Sequence, residues 1–196
     1  MKGLTRRNTV RIASGNPAHF GDFSPSKPGS IRFEKAKQND FVFGSLGTAE
    51  ARAILPTVRS FVEGWRASGE ELVFTRDTHG KEYLSTQEGK YLPVPHCEKD
   101  TEGWQIVEGL HQGERVFDKP VFGSEALAAY VRAGDYKEVT LIGVCTDICV
   151  LSNAVLIKTV CPETAVKVVA SCCAGVSPAA HAAALTVLSS IQLQIV

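Results

Sequence analysis

The sequence has no net charge, no long apolar run and no leader pattern, and each lack removes a class of function. Lys and Arg number 21 and so do Asp and Glu, a formal balance of zero. No global field therefore draws the chain to nucleic acid or to an anionic membrane. No apolar stretch approaches the roughly 18 residues that a spanning helix requires. A basic start followed by an apolar stretch and a small-residue cleavage site is also missing, so the expected location is the cytoplasm. Cysteine is present but sparse, at six in 196 residues: Cys97, Cys145, Cys149, Cys161, Cys172 and Cys173. Disulfide scaffolds are short and Cys-dense, so reduced thiols are expected here. The neighbours Cys172 and Cys173 read most simply as strand-end residues.

What is present suits one globular domain with a full core: 44% hydrophobic and 21% charged residues over 196 positions. The neutral total hides an asymmetry. Up to Lys37, eight Lys or Arg stand against only Asp22 and Glu34, so this segment is +6 and the remainder −6. Residues 1–37 also lack a sustained apolar period. They read as an atypical basic N-terminal segment, disordered or arising from a gene-start artefact, set apart from a domain over 38–196.

From residue 38 the pattern is regular. Apolar positions at helical spacing (Ala51, Ile54, Leu55, Val58, Phe61, Val62, Trp65) predict a helix over 48–68, stopped by Gly69. Strands are expected at 71–77, 114–120, 138–144, 165–173 and 191–196. Helices are expected at 124–134 (Ser124 as N-cap, Gly134 as its end), 146–160 and 177–190. A long loop fills the interval through about 113. Strands alternating with helices imply an α/β fold, a parallel sheet covered on both faces, with ligands at the strand carboxyl ends.

Chemistry-bearing residues cluster at those ends. "GVCTDICV" (143–150) closes a strand and opens a helix. With Thr146 as N-cap, Cys149 lies three residues inside, where the helix dipole favours a thiolate and free N–H groups favour an oxyanion. Two buried thiols are the plain alternative. A disulfide has little support, and a metal clip usually has two intervening residues rather than three. Asp77 and His79 share a strand end, and His96 follows a loop; together they form a candidate three-ligand metal site. Locally hydrogen-bonded histidines and a loop-capping Asp are the alternative there. Lys119 follows a strand, where an ammonium would stabilise a nearby thiolate; a solvated lysine is the commoner case. His111 and His181 have no such context, and His181 reads as structural or exposed.

The ordered set "QNDF" (38–41), "GSLGTAEA" (44–51), "FTRDTH" (74–79), "TQEGKYLPVPHC" (86–97), "GW" (103–104), "DKPVFGS" (118–124) and "GVCTDICV" resembles the isochorismatase-like cysteine hydrolases, and within them the nicotinamidase-related amidases. The resemblance implies a Rossmann-like three-layer α/β/α sandwich with a mainly parallel sheet. It implies Cys149 as a nucleophile that forms a thioester, assisted by Lys119, with an oxyanion hole from the N–H groups of Cys145 and Cys149. A cis peptide before Cys145 arranges that hole in relatives. It further implies a divalent metal (Zn, Fe or Mn) on Asp77, His79 and His96, and substrate contact from Phe41. The partner is then a small amide, with no nucleic acid or membrane, and homo-oligomerisation is compatible. Three departures stand out. Before His96 the chain reads Leu92-Pro93-Val94-Pro95, where nicotinamidases commonly carry a Trp. No extra His follows the Asp-x-His pair near 82–85. The family's proton-exchanging Asp, two residues before the Gln of "QNDF", is replaced by Ala36, on a first strand that is atypical or missing. That replacement implies impaired hydrolysis, or a non-catalytic member that binds a small molecule or a protein.

Overall fold

The computed structural model describes residues 30–35 and 37–196. Six strands form one open, wholly parallel sheet: β1 (Ser30–Lys35), β2 (Glu71–Asp77), β3 (Arg115–Lys119), β4 (Glu138–Val144), β5 (Ala165–Ala174) and β6 (Gln194–Ile195), in the order β3-β2-β1-β4-β5-β6. The order runs outward in both directions from β1. The winding therefore reverses between β1 and β4, and the strand carboxyl ends open a crevice there. Strands buried on both faces need continuous apolar runs. β4 meets this with Val139, Leu141, Ile142 and Val144 all buried.

The helices are α1 (Asn39–Val42), α2 (Ala49–Ala53), α3 (Leu55–Ser68), α4 (Gln87–Tyr91), α5 (Glu125–Gly134), α6 (Leu151–Val160) and α7 (Pro178–Ser190). The single helix expected over 48–68 is in fact two. Thr48 caps α2 by accepting from Ala51 N at 3.0 Å, and Pro56 starts a new first turn, where its missing N–H costs nothing. Gly69, at φ +72°, closes α3 in the left-handed conformation. Ser124 caps α5 as expected, accepting from Leu127 N. The left-handed residue that ends α5 is Asp135 rather than Gly134. Gly134 is needed for another reason: a Cβ there would lie 2.1 Å from the Tyr136 ring. The last strand is shorter than 191–196, because α7 runs to Ser190 and Gln192 turns the chain at φ +73°.

Two apolar layers flank the sheet. Leu127 and Val131 of α5, Ala154 and Ile157 of α6 and Leu188 of α7 pack on Ile31, Phe33, Leu141 and Val168. Val58, Val62 and Trp65 of α3 cover Leu72, Phe74, Ile142 and Val169 on the other side. Full burial of each large side chain contributes about 1.5–3 kcal/mol.

The first strand is present, central and atypical. Of the segment read as separate, residues 1–29 and Ala36 lie outside the described residues; Ser30–Lys35 enter the sheet between β2 and β4. Ile31 and Phe33 bury on one face. Arg32 donates to Glu70 at 2.7 Å and to Glu138 at 2.9 Å, and lies over the Trp65 ring. Glu34 is fully buried, and neither carboxylate oxygen has a hydrogen-bond partner among the described residues. Burial pushes its pKa up to about 8, against the opposing pull of the Lys37 and Arg66 charges. No helix among the described residues is long and apolar enough to cross a membrane.

Candidate active site

β2 and β3 are in register at their carboxyl ends, with Asp77 opposite Lys119. Both side chains are buried. A buried ammonium is costly unless it is paired and hydrogen-bonded. The Lys119 ammonium donates to Asp77 Oδ1 and, at 2.8 Å, to the Val121 carbonyl. Its third contact is Cys149 Sγ at 3.5 Å. Asp77 Oδ2 lies 3.9 Å from the same sulfur. Thiol, ammonium and carboxylate thus converge from β2, β3 and the segment after β4.

That segment is not the regular helix start expected from the sequence. Thr146–Val150 form a wide π-helical turn leading into α6, and Cys145 rather than Thr146 takes the N-cap position. The Val144–Cys145 peptide is cis. The Cys145 carbonyl accepts from Ile148 N at 3.2 Å and Val150 N at 3.1 Å. The Thr146 hydroxyl is instead 2.8 Å from His181 Nδ1 on α7, and Asp147 Oδ1 accepts from Val176 N at 3.1 Å. His181 is therefore half-buried support for this turn.

A second cluster sits beside the first. Ligand atoms of His79, Glu88 and His96 lie within 4.8 Å of one another. His96 Nδ1 is 2.9 Å from the Val94 carbonyl. A carbonyl only accepts, so Nδ1 carries the proton and Nε2 is left as the ligating atom. Two imidazoles and a carboxylate suit a zinc-type ion. Asp77 is not in this group; its carboxylate faces Lys119 and Cys149. Glu88 does not emerge from the sequence, because α4 is one short turn inside what reads as loop. Its one local signal is Thr86, whose hydroxyl caps α4 by accepting from Gly89 N at 3.0 Å. Phe41 meets His96 edge-on at 5.6 Å between ring centroids. Tyr83, also absent from the sequence expectations, packs against His79 at 4.6 Å and His96 at 4.9 Å.

"QNDF" fastens this region to the sheet. Gln38 donates to the Asp77 carbonyl (2.8 Å) and the Trp104 carbonyl (2.9 Å), and accepts from Asp77 N (2.7 Å). Asn39 donates to the Glu102 carbonyl, and Asp40 accepts from Cys97 N at 2.7 Å. Trp104 donates its indole N–H to Thr78 while Arg76 stacks on its ring.

These features define a three-layer, doubly wound α/β protein. A Cys–Lys–Asp cluster lies at its strand ends beside a His–Glu–His cluster. The isochorismatase domain profile matches residues 37–195, and the chain belongs to the isochorismatase family. Among solved structures it is similar to the nicotinamidase/pyrazinamidase of Bacillus subtilis, with TM-score 0.76 and 25% identity over 85% of this chain and 98% of that one. It is also similar to the pyrazinamidase of Pyrococcus horikoshii in complex with zinc, with TM-score 0.74 and 25% identity over 87% and 99%. The N-carbamoylsarcosine amidase of Thermoplasma acidophilum shares the fold at TM-score 0.72 and 23% identity, over 85% and 95%. No curated protein matches the chain in sequence.

Proposed function

We propose that this chain is a cysteine-dependent amidase that hydrolyses a small amide, nicotinamide or a close analogue, to the acid and ammonia. The observation that carries this reading is the meeting of Lys119 Nζ with Cys149 Sγ at 3.5 Å, with Asp77 paired to the same ammonium. An ammonium at that distance stabilises a thiolate. The thiolate attacks the amide carbonyl carbon, and the C–S bond forms as the carbonyl electrons move to oxygen. Backbone N–H groups of Cys145 and Cys149 receive the oxyanion. The C–N bond then breaks, and nitrogen leaves as ammonia carrying the proton that the Cys149 thiol passed to the Asp77 carboxylate as the thiolate formed, while Lys119 stays an ammonium. Water adds to the thioester, releases the acid and restores the thiol.

The catalytic Asp of relatives falls at Ala36, outside the described residues. Asp77, 3.9 Å from the sulfur, is the carboxylate we assign to proton exchange. Loss of a well-placed acid/base costs about 10²–10⁴ in rate, so turnover through this longer contact is slow. His79, Glu88 and His96 would hold a divalent ion, which when bound supplies a Lewis acid for anchoring a heteroatom of the substrate. Phe41 and Tyr83 both pack against the His96 ring. The solved nicotinamidases and pyrazinamidases at 25% identity support the choice of substrate class.

The test is ammonia release from a panel that includes nicotinamide, pyrazinamide and aliphatic amides, by the full chain and by Cys149→Ala. Release by the parent and none by the variant is the expected result. Release from no amide would remove the reading and favour a binding role.

A further inference from the structure

Asn153 stands in the first turn of α6, four residues after Cys149, and is fully buried. A buried amide is unfavourable in an apolar layer unless its polar atoms are satisfied. Its Nδ2 donates to the Cys149 carbonyl at 2.8 Å and to the Phe122 carbonyl at 3.3 Å, and its Oδ1 accepts from Ser124 N at 2.9 Å. The partners fix the orientation, since the carbonyls only accept and the N–H only donates. Phe122 and Ser124 belong to the link between β3 and α5. That link begins at Lys119, which itself donates to Val121 at 2.8 Å.

One side chain therefore joins the carbonyl of the nucleophile to the loop that carries its ammonium. His181 and Asp147 hold the turn from α7 and the segment before it, and among the described residues they make no hydrogen bond to this loop. We propose that Asn153 is a positioning residue that sets the Lys119–Cys149 separation by tying α6 to the β3–α5 link. The proposal rests on the amidase reading of Cys149 and Lys119. Asn is suited because the position needs two donors and one acceptor from a short side chain. Asp keeps the shape but lacks the donors, and Ala lacks all three.

The test compares the full chain with Asn153→Asp, Asn153→Ala and Asn153→Thr. The first readout is the rate of Cys149 alkylation by limiting iodoacetamide at neutral pH, followed by peptide mapping, on protein shown by circular dichroism to be folded. The second is kcat and KM for the best amide. A misplacement of about 1 Å can cost about 100-fold in rate. The Ala and Asp variants are therefore expected to lose about tenfold or more in alkylation and in kcat, with KM little changed. Thr can donate to the carbonyl four residues back, so it recovers part of the loss. Should Ala fail to fold, Asp and Thr carry the comparison. Alkylation of the folded Asp and Ala variants at the parent rate would overturn the proposal. Alkylation does not depend on the substrate. A parent chain that labels Cys149 first yet hydrolyses no amide would therefore sink the amidase reading while leaving the Asn153 comparison intact.

Discussion

Six thiols share this fold, and their surroundings divide them. Burial pushes the Cys172 and Cys161 thiols up, and carries Cys173 up to about 12. These are inert packing groups at neutral pH. Cys149, buried like Cys172 and Cys173, touches an ammonium instead. Limiting iodoacetamide at neutral pH should therefore label Cys149 before the other five, and Lys119→Met should slow that labelling by about tenfold or more. Preferential labelling of Cys97 or Cys172 would remove the nucleophile. The neighbouring cluster makes its own prediction. The purified chain should take up about one first-row divalent ion, as a three-residue site requires. Metal analysis should find it lost in His96→Ala and in Glu88→Ala. Retention in both variants would mean that this trio does not hold the ion.

At the scale of elements, β1 is the weak member of the sheet. Glu34 is fully buried in the central strand with its pKa raised from 4.5 to about 8. Between those values the folded chain holds more protons than the unfolded one, so stability falls as pH rises. The favourable contribution is complete below 4.5 and is gone once pH passes about 8. Glu34→Gln, a neutral mimic, should flatten this decline and stabilise the protein at pH above 8 by on the order of a few kcal/mol. Urea midpoints across the range check it; parallel pH slopes for parent and variant would contradict it. The same strand shows where sequence reading stops. β4 and the α5 and α7 helices are legible because their apolar periods are long and their caps, Ser124 and Ser177, are plain. In β1 only Ile31 and Phe33 alternate among charged neighbours, so the segment reads as separate although it sits at the centre. α4 fails for another reason: five residues hold too little period to reveal the helix that presents Glu88.

For the whole molecule, the winding of the sheet decides where chemistry can sit. Reversal at β1 leaves a crevice at the carboxyl ends of the strands. β2, β3 and the turn after β4 each deliver one polar group to it. Cys149, Lys119, His79 and His96 stand out in the sequence as candidates because they fall in an ordered set of stretches, the first three of them at or soon after a strand end. The pairing of Asp77 with Lys119 does not, because it depends on a register between residues 42 apart in sequence. The "QNDF" clamp likewise joins residues distant in sequence, from Gln38 to Trp104. A nucleophilic Cys149 must become acylated during turnover. The most direct measurement is the mass of the Cys149-containing peptide after acid quench during turnover of nicotinamide or the best amide in the panel. That peptide should carry an added acyl group, removed by hydroxylamine and absent from Cys149→Ala. Ammonia release by Cys149→Ala at the parent rate, with no acylated peptide in the parent, would contradict it.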